Sequence, residues 1–149
     1  MPPVAIRPAR PEDFPTVAAV IDDWWGRPMP GVLPRLYFDH FHATSSIAED
    51  ERLAGFLVGF HSPSLSGVSY VHFIGVRPDQ RREGLARILY ERFADQARAA
   101  GNHELRAVTS PANLDSVRFH ERLGFTVTGP VADYNGPGRP MFTFARRLS

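Results

Sequence analysis

Apolar and polar positions change period several times along this chain, and each change marks an element. Val4-Ala5-Ile6-Arg7 reads as a short first strand. Pro11 at a first helical position, followed by Glu12 and Asp13, reads as a helix start. Proline lacks an N–H that the first turn could not use, and acidic side chains favour the positive end of a helix dipole. Phe14, Val17, Ala18 and Ile21 then recur at helical spacing and predict a buried stripe closed by Trp24-Trp25. A proline- and glycine-rich connector runs from Gly26 to Pro34, and Leu36 to His42 predicts a second, short helix. Ser46–Glu49 and Leu53–Phe60 predict two strands around the acidic turn Glu49-Asp50-Glu51-Arg52, expected to be solvated.

After a loop from His61 to Gly67, Val68–Val76 is a nearly continuous run of β-formers and predicts a central strand covered on both faces. The basic turn that follows leads into a helix with Leu85, Ile88, Leu89, Phe93 and Ala97 on one stripe and Gly101-Asn102 as its stop. Glu104–Thr109 predicts a fifth strand. Asn113 is placed as the N-cap of a short helix, with Ser116 in its first turn and Gly124 just past its end. Phe125–Thr128 and Met141–Ala145 predict sixth and seventh strands, joined through a loop from Gly129 to Pro140 that carries Tyr134. The order is mixed α/β, and residues 1–149 are expected to form a single domain, with 43% hydrophobic residues enough for one core.

The sharpest chemical signal is where the central strand meets the helix: Arg81-Arg82-Glu83-Gly84-Leu85-Ala86. N–H groups at a helix start have no intrahelical partner, and the dipole places partial positive charge there, so an anionic phosphate can be held by backbone alone. Gly84 and Ala86 keep side-chain bulk off the turn, and Arg81 and Arg82 add formal charge. About thirty residues later comes Asn113-Leu114-Asp115-Ser116-Val117-Arg118-Phe119-His120-Glu121-Arg122-Leu123-Gly124-Phe125.

Together, in this order and spacing, the two segments resemble the GNAT superfamily of N-acetyltransferases. Its acyl-CoA motif, Gln/Arg-x-x-Gly-x-Gly/Ala, is matched by Arg81, Gly84 and Ala86, and its later Asn and Glu-x-x-Gly-Phe elements by Asn113, Glu121, Gly124 and Phe125. One position departs: His120 stands where the family usually places a tyrosine that serves the leaving thiolate. The resemblance covers nearly the whole chain, since Ile6 to Asp13 also looks like the family's opening strand and helix. It implies a twisted mixed sheet of about seven strands, flanking helices, and a fourth and fifth strand that splay to admit the pantetheine arm of acetyl-CoA. It further implies that Ile74, Gly75 and Val76 hold the pantetheine and acyl carbonyl, that Arg81, Arg82, Glu83, Gly84, Leu85 and Ala86 hold the pyrophosphate, and that Asn113, Ser116, Phe119 and His120 complete the cofactor contacts.

The implied reaction is direct transfer of acetyl to a primary amine in a ternary complex. The alternative is an acetyl-CoA-binding sensor or partner module without turnover, suggested by the missing tyrosine and by His72 standing where family members often carry a glutamate. His72 is the candidate base, because an imidazole with a pKa near 6.5 accepts a proton at neutral pH; its other reading is a histidine packed in a strand. Glu49 and Glu51 are the reserves. His120 or Tyr134 is the candidate proton donor to the thiolate. Trp24, Trp25, Tyr37 and Phe38 read as an aromatic wall for the acceptor or, for at least two of them, as core.

Composition narrows the chemistry further. The chain has no cysteine, which removes disulfides, thiolate metal sites and an acyl-cysteine intermediate. It has no lysine either, so all 17 basic residues are arginine and a lysine Schiff base is excluded. His40 and His42 lie two apart, off one helix face, and no metal is expected. A net charge of +1 gives no case for nucleic acid or membrane as partner. The Met1 to Arg7 segment lacks an apolar signal region, so the expected location is the cytoplasm. The expected partner is a small-molecule or peptide amine, and the aromatic, β-rich C-terminus is compatible with a homodimer.

Overall fold

The structure, a computed structural model, describes residues 3–149; Met1 and Pro2 of the expected domain lie outside the described residues. Seven strands form one mixed sheet in the order β1-β2-β3-β4-β5-β7-β6. They are β1 (Ala5–Pro8), β2 (Ser46–Glu49), β3 (Leu53–His61), β4 (Val68–Val76), β5 (Glu104–Thr109), β6 (Thr126–Val131) and β7 (Met141–Arg147). Four α-helices accompany them: α1 (Phe14–Trp25), α2 (Leu36–His40), α3 (Leu85–Ala99) and α4 (Leu114–Arg122). No helix among the described residues is long and apolar enough to cross a membrane. The described residues pack as two units, one of residues 3–60 and 72–96, the other of residues 61–71 and 97–149.

In the first unit, β1 and β3 flank β2 in antiparallel ladders. Alternation along β3 sends neighbouring residues to opposite faces. A Cβ on Gly55 would meet Leu85 and Leu89 of α3, whereas Phe56 stacks on Trp24 of α1 at 5.9 Å. Val17, Ile21, Trp24, Phe38, Ile47, Phe56 and Val58 form the core on the α1 face. Of the expected aromatic wall, Trp24 and Phe38 are therefore core, while Trp25 and Tyr37 stay half-buried.

The acidic turn is not simply solvated. Arg77, 4% exposed, donates from Nη1 and Nη2 to the two carboxylate oxygens of Asp50 at 3.1 and 2.7 Å, and from Nε to Asp79 at 2.6 Å. A buried guanidinium needs such partners. This network ties the end of β4 to the β2–β3 turn.

In the second unit, β4 and β5 run parallel over the pairs Val68↔Glu104, Ser69↔Leu105 and Tyr70↔Arg106, and β7 pairs antiparallel with both β5 and β6. The final strand runs two residues further than the sequence suggests, because Arg146 and Arg147 pair with Leu105 and Glu104. The sixth strand likewise continues through Gly129-Pro130 to Val131, with an irregularity between Thr128 and Val131 where the pairing resumes at Val131↔Met141. α3 ends as expected: the Gly101 N–H donates to Arg98 O and the Asn102 N–H to Ala97 O, with Gly101 at φ +81°. The α3 stripe needs one correction. Leu85, Leu89, Tyr90, Phe93, Ala94 and Ala97 are buried, and Ile88 is 53% exposed. At about 100° per residue, Ile88 lies roughly 150° round from the centre of that stripe.

Candidate active site

The first unit brings ten of the candidate residues onto one continuous strand, turn and helix: His72, Ile74, Gly75 and Val76 on β4, then Arg81 to Ala86. Between strand and helix the chain makes a short 3-10 turn at Pro78–Gln80. Arg81, Arg82, Glu83 and Gly84 are exposed, whereas Leu85 is buried and anchors the helix start over Gly55. Gly84 has φ +81°, and a Cβ there would meet no protein atom within 4 Å. Glycine is thus required by backbone conformation, while the space beside it is open. Arg82 adopts the same left-handed region at φ 71° without being glycine. Left-handed residues in a turn make successive N–H groups converge, which suits an anion, and a non-glycine residue there stores strain.

Arg81 has a further partner. Its Nη2 donates to the carbonyl of Trp24 in the last turn of α1, where a cation meets the negative end of the helix dipole. The guanidinium therefore also fastens the turn to α1. Gly75 is required by close packing: a Cβ would lie 2.6 Å from Trp25 and 2.8 Å from Phe56. Trp25 in turn stacks on Phe73 at 4.6 Å. The close approach that β4 permits at Gly75 is thus made by α1 aromatics.

His72 is half-buried, and burial lowers its pKa below the ordinary histidine value, opposed by its bond to Val32. Its Nε2 lies 3.0 Å from the Val32 carbonyl, and its ring stacks on Tyr37 at 4.0 Å and 5°. Burial also raises the Tyr37 pKa. Of the reserves, Glu49 accepts from Arg7 Nε at 2.8 Å, in a group where Arg7 also holds Asp13 through two bonds of 2.9 Å. Glu51 is exposed in its turn.

The other candidates belong to the second unit. Asn113 caps α4 as the sequence suggests, its Oδ1 accepting from the Ser116 N–H at 3.2 Å. Phe119 is half-buried and meets His120 edge-on. His120 is 4% exposed, stacked on Phe144 at 4.1 Å and 6°, with Nδ1 2.7 Å from the Ser116 carbonyl. A carbonyl only accepts, so Nδ1 carries the hydrogen and Nε2 the lone pair. Burial pushes the His120 pKa down to about 4. At neutral pH this ring is uncharged, and its one N–H is committed to a carbonyl. With Nδ1–H against the Ser116 carbonyl, a donor role for His120 toward a thiolate would need a second proton, on Nε2, which burial disfavours. Tyr134 is 48% exposed in the β6–β7 loop, which is closed by bonds from the Asn135 N–H to Arg139 O and from the Gly138 N–H to Asp133 Oδ1. Among the described residues no group of three His, Cys, Asp or Glu side chains is placed to hold a metal ion.

The partners of His72 leave no local signature in the sequence. The Val32 carbonyl lies 40 residues away in a connector whose composition reveals no contact, and Tyr37 was legible only as one aromatic among four.

The comparisons with known proteins agree with this architecture. Residues 6–125 match the acetyltransferase (GNAT) family, and the chain belongs to that family. It is 40% identical over 70 residues to an L-methionine sulfoximine/L-methionine sulfone acetyltransferase from Salmonella typhimurium, a match covering 46% of this chain and 41% of that protein. It is 40% identical over 60 residues to the L-amino acid N-acyltransferase MnaT of Escherichia coli, covering 40% and 35%. The match thus spans less than half the length of either relative. In fold, the chain superposes on Ard1 from Thermoplasma volcanium with a TM-score of 0.82 at 19% identity, covering 98% of both chains. It superposes on diaminobutyrate acetyltransferase EctA from Paenibacillus lautus, solved with L-2,4-diaminobutyric acid and coenzyme A, with a TM-score of 0.73 at 23% identity, covering 97% and 95%.

Proposed function

We propose that this protein is an N-acetyltransferase that moves the acetyl group of acetyl-CoA directly to a primary amine. The observation that carries the reading is the exposed turn from Arg81 to Gly84, left-handed at Arg82 and Gly84, at the start of α3 in a GNAT-family chain. Its amides and arginines suit a pyrophosphate. Main-chain groups of Ile74 and Val76 are read as holding the pantetheine and polarising the thioester carbonyl, and the family motif extends the cofactor contacts to Asn113, Ser116 and Phe119.

In the proposed reaction His72 takes a proton from the acceptor ammonium, freeing the amine lone pair. That lone pair attacks the thioester carbonyl carbon, so a C–N bond forms and the C–S bond breaks. The nitrogen loses a second proton, and the departing thiolate takes one proton from solvent or through Tyr134. The net products are an amide, coenzyme A thiol and one released proton. A thiolate whose conjugate acid has a pKa of roughly 8.5 leaves readily, so positioning and carbonyl polarisation carry more of the catalysis than a strong acid would.

By name the relatives acylate amino acids or their analogues, which supports starting the acceptor search with free L-amino acids and methionine sulfone, then peptide N-termini. The test is calorimetric titration with acetyl-CoA, followed by thiol release on adding those amines. Binding with release is expected. Binding with no release on any amine would favour a sensor module, and no binding would overturn the assignment.

A further inference from the structure

We infer that Tyr37 and the Val32 carbonyl are positioning groups, which hold His72 in one orientation and one tautomer with its basic lone pair on Nδ1. This deepens the reading of His72 as the base and rests on it. The Val32 oxygen, 3.0 Å from Nε2, can only accept, so Nε2 carries the hydrogen. A neutral imidazole has a single N–H, and the lone pair is left on Nδ1. The stack fixes the other degree of freedom. Tyr37 lies flat on the imidazole, at 4.0 Å and 5°, which sets the ring plane. Within that plane a half-turn about the Cβ–Cγ bond would exchange Nε2 for a carbon and break the bond to Val32. The stack chooses the plane, and the carbonyl chooses between its two faces.

Nδ1 takes no hydrogen bond among the described residues. The one buried side-chain N or O without a partner among them is Gln96 Oε1, so Nδ1 is not sealed from solvent. The titratable group packed on His72 is Tyr37 from α2; the connector contributes the Val32 carbonyl, and β4 itself contributes Phe73, 6.3 Å away. None of these is a charged group that would hold the imidazole protonated. Burial acts in the same direction by favouring the neutral ring. The base is therefore ready at neutral pH, and its lone pair is kept from pointing at the Val32 carbonyl.

The experiment is long-range 1H–15N correlation of the imidazole nitrogens across a pH titration, alongside steady-state kinetics. In the wild type, His72 is expected as the Nε2–H tautomer, ionising below the ordinary histidine value. Tyr37→Phe keeps the flat ring and should leave tautomer, ionisation and kcat within about twofold. Tyr37→Leu, or Tyr37→Met if the first variant folds poorly, removes the stack. Either should give mixed tautomers, raise the ionisation toward 6.5, and lower kcat at pH 7 about tenfold with an unchanged KM for acetyl-CoA. A wild-type Nδ1–H tautomer, or a Tyr37→Leu or Tyr37→Met spectrum identical to wild type, would overturn the inference. The nitrogen signals need no turnover, so failure here is distinguishable from failure of the acetyltransferase reading, which would appear as wild-type protein inactive on every amine.

Discussion

Gly84 and Gly101 offer an internally controlled test of the phosphate turn. Both have φ +81°, both are exposed, and a Cβ on either meets nothing within 4 Å. Gly84 immediately precedes α3 and Gly101 follows its last turn. Replacing either by alanine forces an L-residue into the left-handed region, at a cost of about 1–2 kcal/mol. Alanine also stiffens the unfolded chain, which offsets about 0.4–1 kcal/mol of that. The net loss is about 1 kcal/mol, or roughly 2–4 °C in Tm for a domain of this size. Since neither site adds a steric clash, the two variants should lose equal stability. Their ligand affinities should differ. Gly84→Ala puts a methyl group and a shifted amide where the pyrophosphate is read to sit, and should weaken acetyl-CoA binding at least tenfold, about 1.4 kcal/mol. Gly101→Ala should bind like wild type. Thermal unfolding and calorimetric titration of both variants decide the matter. Equal affinity for the two variants would refute the phosphate assignment, and a much larger stability loss at Gly84 would refute the claim that its surroundings are open.

Three further outcomes follow from the site. His72→Gln should lower kcat by about 10²–10⁴ with acetyl-CoA affinity unchanged, and an acidic limb of the rate profile that persists unchanged in the variant would remove His72 as the base. Arg82→Gly relieves a left-handed non-glycine residue and should raise stability by about 1 kcal/mol while weakening acetyl-CoA binding, seen as opposite shifts in apo Tm and in affinity. His120, with a folded pKa of about 4, should make stability fall with acid: between an unfolded pKa near 6.5 and the folded value the unfolded chain binds the extra proton, so stability rises with pH across that window. The wild type should lose about 2 kcal/mol from this group between pH 7.5 and pH 5. In His120→Phe, which keeps an aromatic ring on Phe144, that loss should vanish from the unfolding curves and turnover should stay within a few-fold of wild type.

The parts of the fold written locally were legible from sequence, and the parts made by long-range contact were not. Arg81 to Ala86 could be read because a strand, a glycine turn and a helix start declare themselves within a few residues, and Asn113 because an N-cap bonds only three residues ahead. Ile88 was misplaced because helical spacing alone does not say where the centre of a stripe falls. The strand through Gly129-Pro130 was cut short because those residues punctuate chains locally, and only pairing with β7 carries the strand past them. The buried role of Asp50 in the acidic turn is invisible locally because its partner, Arg77, lies 27 residues on. The family motif puts Gly75 among the cofactor residues, but that a Cβ there would meet Trp25 of α1 has no local signature. His120 shows the same limit in its chemistry. The sequence supplies a histidine at the tyrosine's position, and only the stack on Phe144 and the bond to Ser116 reveal a ring buried with Nδ1 turned to a carbonyl.

In the proposed reaction one acetyl group leaves coenzyme A for each amine acylated. The most direct test counts both products in the same tube, free thiol by a colorimetric reagent and N-acetylated acceptor by mass spectrometry, with wild type and His72→Gln side by side. Equal amounts of thiol and acetylated amine from the wild type, and a rate slowed by about two orders of magnitude or more in the variant, are predicted. Acetyl-CoA bound without either product, or thiol released with no acetylated amine, would contradict the account.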